Sequence, residues 1–340
     1  MSGKKGDETN FSKLAEKVVM EPYCYTCNTN GKGLRSALMS AFNYWLKVPE
    51  DTLKLISDVI QMLHNASLII DDIEDGSYLR RGKPAAHCVF GIAPSINSAN
   101  FVYFLALEKL SVLNRAESVK IFTEQMLELH RGQGMDIYWR SSFRCPSESE
   151  YEAMVVCKTG GLFGLGVRLM QLFSDVQTNY KPLLDSLGLF YQIRDDYANL
   201  VDLSYHNAKT YAEDLTEGKF SYPIVCAINH NPGDNQVMNI LSQRTTNPTL
   251  KAYCVKHMLE LGALHETALM LASLEEKCRQ LILEYGGNPL LSNLIDKLSD
   301  LHRTPDGHLR HITAEDLQSP SQENANYSLN SEAGRSSCHH

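Results

Sequence analysis

No stretch of the 340-residue sequence approaches the roughly 20 consecutive apolar residues that a bilayer-spanning helix needs, so no transmembrane segment is expected. The opening M-S-G-K-K-G-D-E-T-N lacks the apolar centre of a secretory leader, and no leader is expected. Cationic excess is missing too. Lys and Arg number 32 against 40 Asp and Glu, a net charge of −8, which argues against a nucleic-acid partner. Neither strand-like alternation nor an internal repeat interrupts the apolar residues recurring at helical spacing. The single C-x-x-C, Cys24 to Cys27, has no second copy with which to complete a zinc site; half of a zinc or redox site is the alternative to plain thiols. Nine cysteines, an odd number, without a leader favour reduced thiols and a cytoplasmic protein. What the chain has in quantity is apolar residues, 43%, enough for a large core.

Its chemistry concentrates in Met62 to Arg81, M-L-H-N-A-S-L-I-I-D-D-I-E-D-G-S-Y-L-R-R. Ile56, Val59, Ile60, Leu63 and Ile70 recur at helical spacing and predict a helix with one buried face. The helix ends in Asp71, Asp72, Glu74 and Asp75. Asp71 and Asp75, four apart, share a face, and His64 lies two turns below Asp71. Carboxylates this close repel unless a cation sits between them, and an all-oxygen donor set favours Mg²⁺ over zinc. Arg80 and Arg81 follow, and arginine is the fork-shaped partner of phosphate oxygens. Acids, a metal and arginines together point to a diphosphate. A solvated acidic helix end is the alternative for this motif taken alone. A second group, Gln192, Asp195 and Asn199 in Y-Q-I-R-D-D-Y-A-N, again follows an apolar helical run (Leu184, Leu187, Phe190, Tyr191). Two acid-tipped helices facing each other across a bundle would hold several Mg²⁺ ions and a diphosphate.

The remaining pattern is helical throughout. Residues 1–10 read as a flexible N-terminus, and Phe11 to Val19 as a short helix ending before Pro22. Gly31-Lys32-Gly33-Leu34-Arg35 opens a helix through Trp45; its cations beside a helix start suit an anion, or are merely solvated. Pro49 starts the long helix, which over 51–75 spans roughly 37 Å. An irregular stretch to Pro94 precedes helices over Asn97–Leu113 and Glu117–Tyr138. Ser147-x-x-Glu150 is a capping box for a helix over Tyr151–Phe173, inside which Lys158-Thr159-Gly160-Gly161 marks a kink, a close ligand approach or a tolerated packing contact. Residues 200–218 read as a polar loop carrying Lys209, with Lys219 just beyond. Helices are expected over 223–229, 234–243, 249–261, 263–285 and 288–302. One all-helical domain, 11–303, is thus followed by a disordered polar tail, 304–340.

Over residues 11–302 the chain resembles the trans-isoprenyl diphosphate synthases, most closely their eukaryotic geranylgeranyl branch. The resemblance rests on the G-K-x-x-R loop (Gly31, Lys32, Arg35), L-H-N-A-S-L-I-I-D-D-I-E-D, L-R-R-G, L-H-R-G-Q-G-M-D-I-Y-W, K-T-G-G-L-F, F-Y-Q-I-R-D-D-Y and D-L-T-E-G-K-F-S-Y-P. It implies an all-α fold, a single large antiparallel bundle with a central cavity, and Mg²⁺-dependent condensation of isopentenyl diphosphate with dimethylallyl, geranyl or farnesyl diphosphate. By the same resemblance Asp71, Asp75 and Asp195 bind up to three Mg²⁺ ions. Arg80, Lys158, Lys209 and Lys219 hold the allylic diphosphate, with Thr159 and Gln192 beside the reacting carbons. Lys32, Arg35, His64 and Arg81 take isopentenyl diphosphate. Asn199 departs from the third aspartate that many relatives carry, and a homodimer or higher homo-oligomer is implied.

Chain length follows from what lies below the acids. Ala66 and Ser67, one turn down, are small where farnesyl-forming relatives tend to carry aromatics, so a longer tail can pass. Tyr103, Phe104 and His130 are candidates for a floor, or are plain core residues. The competing readings are a farnesyl or other chain-length synthase, a class I terpene cyclase, a non-catalytic subunit of a prenyl synthase, and a Mg²⁺-binding scaffold. The cyclase lacks support after Asp195, where no N-x-x-[ST]-x-x-x-E motif is found.

Overall fold

The structure, a computed structural model, describes residues 4–28, 33–202 and 210–317. Apart from one two-residue hairpin and an isolated bridge, the regular elements among them are helices. They form two compact units, one of Met1–Ile137, Glu152–Tyr191 and Leu274–Leu298, the other of Tyr138–Tyr151, Gln192–Ser273 and Ser299–His340.

The first unit is built around α3 (Glu50–Asp75). Ile56, Val59, Ile60, Leu63, Ala66 and Ile69 all lie on its buried side. Opposite them α5 (Ile92–Ser111) presents Ala99, Val102, Ala106 and Leu110, small or slender residues at i, i+3/i+4 spacing that let the two helices approach. Around this pair pack α1 (Lys4–Cys27), α2 (Leu34–Leu46), α4 (Ala86–Phe90) and α8 (Gly161–Gln171). By length and apolarity α3 and the helical stretch Glu148–Gln171 are able to cross a bilayer, but half or more of each apolar stretch is buried inside the protein.

Three expectations for this unit need correction. Pro22 does not end the first helix, which runs from Lys4 to Cys27. A proline inside a helix costs roughly 3 kcal/mol. Here Tyr23 is buried against Ala66, Ile69, Ala99 and Val102, Tyr25 packs on the same cluster, and the Tyr25 hydroxyl donates to Pro84 O at 2.9 Å. Each large buried side chain returns about 1.5–3 kcal/mol, so packing outweighs the proline. The stretch before Pro94 is not irregular: it holds the hairpin β1 (Leu79–Arg80) and β2 (Lys83–Pro84), then α4, and α5 takes Pro94 in its first turn, where no N–H is missed. The helix placed over Tyr151–Phe173 is interrupted. It comprises α7 (Glu148–Val155), a π-turn at Val156–Gly160, and α8. The capping box forms, Glu150 N–H to Ser147 Oγ at 3.2 Å and Ser147 N–H to Glu150 Oε2 at 2.9 Å.

The π-turn has a cause across the way in α6 (Ala116–Ser142). A Cβ on Gly132 would lie 2.6 Å from Lys158 N and 2.8 Å from Met154 O, so only glycine lets α6 lie against the turn.

In the second unit the lower half of α9 (Lys181–Val201) is followed by α10 (Glu213–Glu217), α11 (Tyr222–His230), α12 (Gln236–Ser242) and α13 (Pro248–Glu260). The first part of α14 (Ala263–Glu284) also belongs here, while α15 (Pro289–Ser299) belongs to the first unit. The expected polar loop is only partly polar: Tyr211 to Leu215 and Glu217 are buried, and α10 occupies its end. Nor does order stop at residue 304. Thr304 N–H bonds His308 O and Arg310 N–H bonds His302 O, tying the strand-like turn after buried His302. Residues 318–340 lie outside the described residues.

Candidate functional site

In the first unit Gly76, left-handed at φ 66°, ends α3 directly after its acids. The four acids divide by face. Asp72 follows the buried side, 2% exposed, and is held by Arg80 through Nη2 and through Nε at 2.8 Å. Arg80 can reach it because the chain reverses at Arg81 and Gly82, with φ 54° and 76°, the pair of positive angles a tight hairpin demands. Asp71, Glu74 and Asp75 stay on the open side. Gln133 Nε2 donates to Asp71 Oδ1 at 3.0 Å and to Glu74 Oε2 at 2.6 Å. Even so, burial, helped by the charges of Asp71 and Asp75 and opposed by the Gln133 bond, holds the Glu74 carboxyl above its ordinary pKa.

Lys158, carried by the π-turn, is aimed into this group. Its Nζ pairs with buried Asp136 Oδ2 at 2.8 Å and lies 3.8 Å from Asp71 Oδ1. Thr159 is its half-buried neighbour in the same turn. Among the described residues no three Asp, Glu, His or Cys side chains converge into a closed metal cage. Mg²⁺ does not require one, since it usually takes one or two carboxylates plus phosphate oxygens and water. An all-oxygen set of neighbouring carboxylates that repel one another fits such an ion.

Two turns down α3 is a different site. Arg35 Nη1 donates to His64 Nε2 at 2.9 Å. Burial first, then the charges of Arg35, Arg81 and Arg80, push the His64 pKa down to about 2. The imidazole is therefore neutral, and with Nε2 accepting, the proton sits on Nδ1. Arg81 is itself lowered by burial and by Arg80 beside it. Three arginine charges thus act on one neutral imidazole, an arrangement that suits an anion without metal. Lys32 and Lys209 lie outside the described residues.

Of the chain-length candidates, Ala66 is fully buried in the cluster of Tyr23, Ile69, Ala99 and Val102, while Ser67 is half-buried with its hydroxyl on His64 O at 2.9 Å. Tyr103 packs against that cluster and senses the charges of Asp71 and Glu74, which with burial raise its pKa. Its ring meets His130 at 6.2 Å, and exposed His130 bonds Met126 O through Nδ1. Phe104 does not line the interior. It is 73% exposed, because the packed face of α5 passes through Val102 and Ala106 and leaves residue 104 on the other side.

The second unit carries the other acid group. Asp196, 1% exposed, accepts from the Tyr151 hydroxyl, from Tyr222 N–H at 2.9 Å, from Gln192 Nε2 at 2.9 Å and from Lys219 Nζ at 3.0 Å. Asp214 Oδ1 lies 3.7 Å from the same ammonium. Asp195, next to it, is only half-buried. Asn199 is buried, with Oδ1 on Asp214 N–H at 3.3 Å.

Sequence reasoning thus missed the residues that fix the others: Asp72, Gln133, Asp136, Asp196 and Tyr151. Signals existed. Asp72 falls in phase with buried Leu68 and Ile69, Gln192 and Asp196 are an i, i+4 pair, and Gln133 and Asp136 sit in the R-G-Q-G-M-D motif.

A sequence model of the polyprenyl synthetase family matches residues 16–258. A protein named geranylgeranyl pyrophosphate synthase from Dictyostelium discoideum is 50% identical over 282 residues, covering 83% of this chain and 93% of that one. One of the same name from Mucor circinelloides f. lusitanicus is 46% identical over 286 residues, covering 84% and 94%. A protein named terpene synthase from Matsumurasca onukii is 48% identical over 292 residues, covering 86% and 96%.

Proposed function

Given that the chain belongs to the polyprenyl synthetase family, we propose that it is a geranylgeranyl diphosphate synthase, condensing isopentenyl diphosphate head-to-tail with dimethylallyl, geranyl or farnesyl diphosphate. The observation that carries this reading is that α3 bears two unlike anion sites. The acid end has Lys158 Nζ at 3.8 Å from Asp71, and the metal-free Arg35–His64 pair lies seven residues, about 10 Å, below. One suits a metal-chelated diphosphate and the other a bare one, which a two-substrate condensation requires.

Prenyl synthases generally depend on magnesium. Asp71 and Asp75 would hold magnesium and Asp195 a further ion, up to three in all. Magnesium held there would supply neutralisation of diphosphate charge as the leaving group departs. Asp72 fixes Arg80 and Asp136 fixes Lys158, so both cations meet the leaving group without reorganising. Thr159 and Gln192 would lie beside the reacting carbons, with Lys209 and Lys219 as further diphosphate cations. Arg35, Arg81, Lys32 and the Nδ1–H of neutral His64 would seat isopentenyl diphosphate so that its alkene attacks the allylic C1 as the C–O bond breaks. The proton then lost would pass to departing pyrophosphate. Ser67 leaves room for the lengthening tail, with Tyr103 and His130 below it.

We further propose a homo-oligomer acting in the cytoplasm. Exposed Phe11, Leu14 and Val18, one stripe of α1, and exposed Phe104 on α5 are apolar faces suited to a second copy.

Purified protein with Mg²⁺, labelled isopentenyl diphosphate and farnesyl diphosphate is expected to yield linear geranylgeranyl diphosphate. A shorter or longer chain would change the assignment within the family, and no turnover would leave a subunit or scaffold. The Matsumurasca onukii relative, a terpene synthase by name, favours a second reading. Under it the product is a hydrocarbon released from the allylic substrate alone, without isopentenyl diphosphate.

A further inference from the structure

The segment Tyr211–Glu217 is held in a conformation its own residues do not favour. Ala212, the cap of α10, has φ 44° and ψ 57°, a left-handed backbone that alanine adopts only under constraint, and no side chain of its own caps the helix. The first-turn N–H groups of such a helix need acceptors from elsewhere. Asn199 supplies one from α9: its Oδ1 takes the Asp214 N–H at 3.3 Å, and the residue is 2% exposed. From α13, Lys251, 4% exposed, donates through Nζ to Tyr211 O at 2.8 Å. Glu213, Glu217 and Asp214 favour that ammonium while burial opposes it and keeps its pKa near 8.

We infer that Asn199 and Lys251 are a two-point clamp on residues 211–217, and that Asn199 is a positioning residue for Lys219 rather than a magnesium ligand. By spacing, residue 199 is where a third acid of the motif would stand. Here its side-chain oxygen is engaged by a backbone N–H. What the clamp holds in place is Asp214, whose Oδ1 is 3.7 Å from Lys219 Nζ; Asp196 Oδ1, at 3.0 Å, flanks the same ammonium. Moving the turn would remove one of the two carboxylates that aim this lysine.

The inference rests on the reading of Lys219 as a diphosphate cation, and its test keeps the two apart. In full-length protein without magnesium, Asn199→Ala is expected to speed hydrogen exchange of the 211–217 amides about fivefold, the effect of a lost cap. Asn199→Asp, which retains an acceptor, restores most of the protection. Lys251→Met loosens the same segment from its other end, and serves if Asn199→Ala does not fold. In turnover, Asn199→Ala raises KM for the allylic substrate and leaves both KM for isopentenyl diphosphate and the magnesium half-saturation unchanged. Unaltered exchange in Asn199→Ala and Lys251→Met would overturn the clamp. A magnesium half-saturation that rises with alanine and falls with aspartate would make residue 199 a ligand. Faster exchange with an unchanged allylic KM would keep the clamp and remove Lys219 from the diphosphate.

Discussion

The acid ends of α3 and α9 look alike in sequence and differ in how they are satisfied. Each has an Asp-Asp pair in which the second aspartate turns inward and anchors a cation, Asp72 with Arg80 and Asp196 with Lys219. Around Asp196, two nitrogen donors, a hydroxyl and an ammonium complete the carboxylate's capacity. Around α3, Gln133 bridges Asp71 and Glu74, a lysine lies 3.8 Å from Asp71, and burial with the charges of Asp71 and Asp75 still holds the Glu74 carboxyl above its ordinary pKa. On α3 like charges stand side by side around Gln133, while on α9 Asp196 is the hydrogen-bonded support of Lys219.

That contrast can be broken from either side. Asp196→Ala takes the nearer of its buried carboxylates from Lys219 and the acceptor from the Tyr222 N–H, and is expected to cost about 3–5 kcal/mol in urea unfolding. Asp71→Ala should instead leave the unfolding midpoint nearly in place while turnover falls about 10²–10³-fold, as for loss of one charge-stabilising group; near-normal turnover would refute its role.

The neighbouring cationic site sharpens the comparison through pH. His64 titrates near 6.5 when unfolded and at about 2 when folded, so its contribution is complete above pH 6.5 and is lost as pH falls toward 2. Between pH 7 and pH 5 the wild type is expected to lose about 2 kcal/mol more stability than His64→Gln, read from denaturant midpoints. Smallest in energy, Ser67→Phe should shift the product from geranylgeranyl toward farnesyl length with little change in stability; an unchanged product would send the tail along another path.

Much of this was legible in the chain. Periodicity placed α3 to within a residue, because Ile56 to Ile69 repeat one buried face, and the Ser147–Glu150 box marked the start of α7. Local rules failed where distant contacts decide. Pro22 stays in a helix because of what Tyr23 and Tyr25 touch, and Tyr211 to Leu215 are buried where Asn199 and Lys251 reach Asp214 and Tyr211. At the candidate site the outward acids and arginines could be read from type and spacing. Their inward partners carry only a weak local signal, since Asp136 and Asp196 matter through contacts 22 and 23 residues away, with Lys158 and Lys219. Phe104 shows the reverse error: an aromatic next to a packed residue need not share its face.

Gly132 gives the last point. With 2.6 Å between its missing methyl and Lys158 N, a single added carbon acts as a wedge between α6 and the π-turn. The reach of the Lys158 ammonium is therefore gauged by contact of two main chains, and a change with no charge or polarity of its own would retune it.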